Sequence, residues 1–199
     1  MKKIILPLVL LSLPNFALAQ EPTPEPKKEI TGEQLKQLGR FMLRGPIKKA
    51  EVTSARVTMA NLAIAIDAFY EEYQALPLGS KATVDTTVTT VGKKGSPFMA
   101  SLIGLKSAQD ENPKQMSFFE SKMAKQKKNG IDRFENGADL YDPWGNPYQV
   151  HLNYDYDDEL RSPIGNEIIF ERRALIWSTG PDGKSGTPET DKDNVYSWK

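Results

Sequence analysis

Between residues 52 and 73, apolar side chains recur every three or four positions: Val52, Ala55, Met59, Leu62, Ile66, Phe69 and Tyr73. This is the spacing of one face of an α-helix. Lys48, Lys49, Arg56, Asn61, Asp67, Glu71 and Glu72 fall mostly on the remaining surface, so the apolar stripe reads as the side that faces a core. The helix is expected to start at Pro46, because a residue without an N–H suits a first turn. It is expected to run to Ala75 and to end before Pro77. At ~1.5 Å per residue it would extend about 45 Å. Ahead of it, Thr31-Gly32-Glu33-Gln34 matches a capping box. Leu35, Leu38 and Met42 follow at helical spacing until Gly45-Pro46 interrupts the pattern.

Past Pro77 the period changes. Thr83 to Val91 is rich in Thr and Val and reads as a strand or edge ribbon. Pro97 to Leu105 reads as a short helix, and the lysine-rich stretch Asp110 to Asn129 as a solvated loop or short surface helix. The cations in that stretch (Lys122, Lys125, Lys127 and Lys128) sit among neighbouring acids, the pattern of a solvated face. Tyr148, Val150, Leu152 and Tyr154 alternate with Gln149, His151 and Asn153, giving a strand with one apolar face. Ile168 to Trp177 is a second strand-like run, joined to the first through the acidic connection Asp155 to Ile164. One long helix with a small antiparallel sheet is an α+β arrangement.

The first residues change the expected compartment. Lys2 and Lys3, an apolar run from Ile4 to Phe16, and Ala17-Leu18-Ala19 before Gln20 have the layout of a cleaved secretory signal, residues 1–19. The apolar run is shorter than the roughly 20 residues a membrane span needs, and it contains Pro7 and Pro14. No stable membrane span is therefore expected after cleavage, and the mature protein is expected to be periplasmic or secreted. Residues 20–30 are proline-rich and charged, a tether rather than packed structure. Residues 31–199 form the expected globular domain. With 26 basic and 26 acidic residues, the chain has no excess charge to attract nucleic acid. It has no cysteine, so an exported domain of this kind must secure its loops by core packing or by a bound ion.

Two turn-rich signatures stand in the last third of the chain. Asp142-Pro143-Trp144-Gly145-Asn146-Pro147-Tyr148 combines turn formers with a Trp large enough to pin the turn onto a core. Ser178-Thr179-Gly180-Pro181-Asp182-Gly183 opens an irregular loop that closes on Asp193-Asn194-Val195-Tyr196-Ser197-Trp198. Asp182, Asp191 and Asp193 bring carboxylates to that loop, and Asn194 an amide oxygen. A hard cation such as calcium takes six to eight oxygens from donors of this kind, and spacing alone leaves that reading beside a plain surface loop.

Other chemistry finds less support. Asp155, Asp157 and Glu159 begin like an EF-hand, but Leu160 stands where glycine is required and Asn166 where the closing Glu belongs. Gly183-Lys184-Ser185 resembles the end of a phosphate loop, yet Pro188 follows where a helix is needed. His151 is the only histidine, which rules out zinc sites built on paired histidines and leaves Ser162 or Ser178 as its only suggested nucleophile partners. An exported hydrolase using paired surface carboxylates stays open as an alternative, with no pair singled out.

From Ala55 to Trp198 the chain resembles the C-terminal domain of the major pseudopilin family of type II secretion. The likeness rests on the helix Met59-Ala60-Asn61-Leu62 to Tyr73-Gln74-Ala75-Leu76-Pro77 and on the two signatures in this order. The resemblance implies a pilin-like fold and a non-enzymatic protein acting through protein partners, possible secretion-system components among them. It also implies a calcium ion held by Asp182, Asp193 and Asn194, the Thr179 carbonyl and, in this longer loop, Asp191. Asn194 replaces a carboxylate of the family pattern, which lowers the charge of the site. The family's prepilin leader and continuous apolar membrane helix have no counterpart in residues 1–30. A membrane-anchored subunit of a pseudopilus is thus the alternative expectation, and a soluble exported relative the main one.

Overall fold

The computed structural model describes residues 32–78 and 83–199, with side chains described from residue 48 onward. The expected signal segment, the tether and Thr31 of the capping box lie outside the described residues. Residues 1–39 and 40–199 form two compact units. Of the first, only helical backbone from Gly32 is described. The sheets, the hydrophobic core and both signature turns belong to the second.

Helix α1 runs from Gly32 to Tyr73 without the expected interruption at Gly45-Pro46. A proline inside a helix forfeits one hydrogen bond and strains one turn, at a cost of about 3 kcal/mol. The flanking Phe41-Met42-Leu43-Arg44 and Ile47-Lys48-Lys49-Ala50 are mostly good helix formers, which hold the same conformation on both sides. The helix stops at Tyr73 rather than Ala75. Gln74 takes the left-handed C-terminal position, with φ 52°, and donates its N–H to the Tyr70 carbonyl at 2.7 Å.

The stripe faces the core as its spacing requires: Ala55, Met59, Leu62 and Ile66 are fully buried, and Phe69 nearly so. Their partners come mainly from a four-stranded antiparallel sheet of β1 (Thr86–Thr89), β4 (Tyr148–Leu152), β7 (Ala174–Ser178) and β8 (Val195–Tyr196), in the order β1-β4-β7-β8. Val88, Tyr148, Val150, Leu152, Ile176 and Val195 join the α1 stripe in one hydrophobic core. At roughly 1.5–3 kcal/mol for each large side chain removed from water, this face dominates the favourable side of folding. The fold is thus mixed α and β, with one long helix packed on an antiparallel sheet of four strands.

Helix α2 (Gly92–Leu102) begins earlier than the expected Pro97 and carries that proline inside it. It can approach β1 closely because Gly95 has no Cβ, which would overlap the Thr89 carbonyl. Hairpin β2–β3 (Gly130–Phe134 and Gly137–Tyr141) and the pair β5–β6 (Glu159–Arg161 and Ile168–Phe170) are separate two-stranded sheets. The run Ile168 to Trp177 is therefore two strands in two sheets. The chain breaks at Glu171, which adopts φ 56°, before β7 begins.

Two buried polar residues organise the less regular parts. Thr90 donates from Oγ1 to the Leu140 carbonyl at 2.6 Å and accepts from the Tyr148 amide at 3.0 Å, tying the end of β1 to β3 and β4. Asn112, fully buried, donates to the Ser101 and Met116 carbonyls and accepts from the Tyr73 hydroxyl and the Met116 amide. That network orders the start of the stretch 110–129, which carries no helix. Lys122, Lys125, Lys127 and Lys128 are exposed.

Candidate functional site

The two signature turns meet. Asp142 is fully buried at the head of the first turn, and its Oδ1 accepts the backbone N–H of Trp144, Gly145 and Asn146 at 2.8–2.9 Å. The chain curls around one carboxylate oxygen that draws in three consecutive amides, and Gly145 also donates to the Asp142 carbonyl at 3.2 Å. The second oxygen, Oδ2, accepts the Ser178 hydroxyl at 2.6 Å, and Ser178 is the last residue of β7. The Gly180 amide in turn donates to Ser178 Oγ at 3.1 Å. Asn146 closes a second link, donating from Nδ2 to the Gly180 carbonyl at 2.7 Å. Trp144 secures the pair to α1 by donating from Nε1 to Glu51 Oε2 at 3.0 Å. Burial pushes the Asp142 carboxyl above its ordinary value, against the Ser178 and backbone hydrogen bonds that favour the anion.

The C-terminal loop leaves from this platform and returns to it. Thr179 is buried at its start. Gly180 adopts φ 65°, and a Cβ there would stand 3.1 Å from Asp193 Cγ, so Asp193 lies directly against the start of the loop. Asp191, in a short 3₁₀ turn at Thr190–Lys192, accepts the Gly186 amide at 2.9 Å and Asn194 Nδ2 at 3.0 Å, both on Oδ1. Asn194 Nδ2 also reaches the Tyr196 hydroxyl at 3.2 Å, while Asn194 Oδ1 is buried and has no hydrogen-bond partner. Strand β8 then pairs with the end of β7, matching Val195 to Ser178 and Tyr196 to Trp177.

Of the five expected donors, Asp191 and Asn194 are directly bonded, and Asp193 packs on Gly180 beside Thr179. Asp182 is exposed on the turn, where its Oδ1 accepts the Lys184 amide at 2.8 Å. Among the described residues no three acidic or histidine side chains gather closely enough to hold a metal ion. The donor chemistry nevertheless fits a hard cation. Every available group is an oxygen, and an orphaned buried acceptor on Asn194 lacks an electropositive partner. Asp193, Asn194, Pro181, Lys192, Trp144 and α1 residues Lys48 to Arg56 also line a cavity of about 470 Å³ beside the loop.

The sequence had no means of showing that Asp142 joins the two signatures. The only local hint was an Asp two residues before Trp144 in a Pro/Gly turn, the pattern of a side chain that captures its own following amides. The structure also gathers Asp85, His151 and Ser162 around one open cavity of about 450 Å³. Their hydrogen bonds lead elsewhere. Asp85 Oδ1 accepts the Tyr154 amide, His151 Nδ1 pairs with Thr87 Oγ1 at 2.9 Å, and Ser162 Oγ donates to the Ile164 carbonyl at 2.6 Å. Burial lowers the His151 pKa below its ordinary 6.5, opposed by the charge of Asp85. A folded-state value below the unfolded one means that neutral His151 adds stability above pH 6.5, and that this is lost as pH falls through the lower folded value. An NMR titration should place this single imidazole below 6.5, and a value above it would contradict the burial.

Among the described residues no helix is long and apolar enough to cross a membrane. Comparison with protein-family models, with curated proteins and with solved structures finds no match to this chain.

Proposed function

We propose that this chain is an exported, non-enzymatic protein of pilin-like fold, related to the major pseudopilins, that works by docking other proteins. In this reading calcium secures its C-terminal loop. The observation that carries the proposal is the buried, unpartnered Oδ1 of Asn194, an amide whose Nδ2 binds Asp191 and which follows Asp193 in a loop of oxygen donors. Asp193, Asn194, the free oxygen of Asp191 and the Thr179 carbonyl would hold the ion, and Asp182 would join them by giving up the Lys184 amide. The bound ion would supply the positive charge that lets these oxygens stay close together. The apolar stripe of α1 on an antiparallel sheet supports the pilin-like reading. Val57 and Ile64, exposed two turns apart on α1, support docking of a protein partner.

A ligand that binds only the folded form raises its stability with concentration. The melting temperature should therefore rise by several degrees between excess chelator and millimolar calcium, and Asp193→Ala should remove most of that rise. An unchanged melt across both conditions rejects the ion. Export predicts that the chain isolated from its native host begins at Gln20. A mass that includes residues 1–19 would favour the anchored alternative.

A further inference from the structure

Helix α1 carries a second stripe, on the side away from the core. Ala50, Thr53, Val57, Ala60, Ile64 and Ala68 recur every three or four residues, and all six are exposed. That is the spacing of a seam between two helices. Val57 and Ile64, one heptad apart, are its two large apolar side chains, 55% and 65% exposed. The alanines and the threonine around them add little bulk. The distance between packed helices is set by the side chains at their contact, so a second helix can come close here.

Charge along this face changes sign from one end to the other. At 3.6 residues per turn, Lys49, Arg56, Asp67 and Glu71 fall along the same flank of the stripe. The two cations come first in the chain and the two acids last. Lys49 and Arg56 have no ion-pair partner among the described residues. Asp67 and Glu71 share the single guanidinium of Arg173, at 3.3 Å and 2.9 Å. On this flank the first half is therefore positive, and the second keeps negative charge in excess.

A twofold axis that reverses a second helix sets this flank against itself with its ends exchanged. Lys49 and Arg56 then face the partner's Asp67 and Glu71. A parallel copy would set the two positive ends side by side, and likewise the two negative ends. Opposed charge fixes register and excludes the wrong orientation, which here selects the antiparallel pair.

We propose that this face of α1 docks a second copy of the chain, antiparallel, about a twofold axis between Ala60 and Asn61. Val57 of each protomer packs on Ile64 of the other, and Lys49 lies within a turn of the partner's Glu71. Residues 49–72 extend about 36 Å at ~1.5 Å per residue. One helix pair of that length is a small interface, so the dimer is reversible and depends on concentration. The inference rests on the docking reading of the proposed function, for which it names the partner, and makes no use of calcium.

Sedimentation of the chain as exported should show monomer at low micromolar concentration passing to dimer at high. Val57→Ser with Ile64→Ser alters two exposed side chains, so circular dichroism should be unchanged while dimerisation weakens about tenfold or more. The sequence contains no cysteine, so introduced ones report orientation without background. In an oxidised equal mixture of Val57→Cys and Ile64→Cys chains, the mixed crosslink should exceed the half expected by chance. An excess of like-with-like crosslinks, a chain monomeric throughout, or a double-serine variant that dimerises like the parent would overturn the proposal. A monomeric chain that binds a different protein through Val57 and Ile64 would overturn the second copy alone and leave the docking reading standing.

Discussion

Replacing Asp142 with alanine should destabilise the protein by about 3–5 kcal/mol, because four donors lose one shared, buried acceptor at once. The amides of Trp144, Gly145 and Asn146 and the hydroxyl of Ser178 all converge on this carboxylate. Alanine leaves the buried Ser178 hydroxyl and the half-buried amides without this acceptor, while Gly145 keeps the Asp142 carbonyl at 3.2 Å. Asp142→Asn keeps Oδ1 as an acceptor for the three amides and removes a buried charge, so it should cost about 1 kcal/mol. Urea denaturation of both variants separates the two effects, and equal losses would show that the turn does not depend on its hydrogen bonds.

The same pair of variants has a pH signature. Burial raises the folded-state pKa of Asp142 above 3.8. The folded protein then holds this proton more tightly than the unfolded chain, so the contribution of the group is greatest below pH 3.8. It is lost as pH rises through the folded value. Asp142→Asn abolishes that slope, so its stability relative to the parent should improve as pH climbs through the acid range and then level off.

Gly180→Ala should cost about 3 kcal/mol, through two additive causes. The left-handed backbone at φ 65° costs an alanine about 1–2 kcal/mol. The new methyl would also overlap the Asp193 carbonyl oxygen, and overpacking of this kind costs about 1–3 kcal/mol. Gly165→Ala provides the control, since its φ is 80° but nothing lies within 4 Å of a Cβ there. It should show the backbone penalty alone. Because the collision separates Asp193 from the start of the loop, Gly180→Ala should also blunt the response of the melting temperature to calcium. A full calcium response in a destabilised Gly180→Ala protein would mean that Asp193 takes no part in holding the ion.

What the sequence disclosed, and what it hid, reflects the range of the interactions involved. The α1 stripe and the alternation in β4 were legible because each is a local period imposed by one buried face. The split between β6 and β7 falls at Glu171-Arg172-Arg173, three charged residues that the sequence does show but that read equally well as the polar middle of one strand, and the left-handed backbone at Glu171 marks the break. Hairpin β2–β3 went unseen since Asp132, Arg133 and Asp139 interrupt its apolar pattern, and its pairing is set by register between strands. Pro46 argued for a boundary on local grounds that the helix around it overrides. At the candidate site, the donor types could be read from the loop. Their arrangement could not, because the link from Asp142 to Ser178 spans 36 positions of chain.

Strand β8 is only two residues long, yet it covers one edge of β7, a strand whose five residues are all buried. The Ser197 amide and hydroxyl add two further bonds to Ile176. Proteolytic clipping ahead of Val195 would strip this cover and leave the ribbon Ala-Leu-Ile-Trp-Ser with bare amides and carbonyls on one side. Such an uncovered apolar border is a template for intermolecular pairing. Residues 195–197 therefore shield that edge, and clipping ahead of them should raise self-association, which light scattering would report.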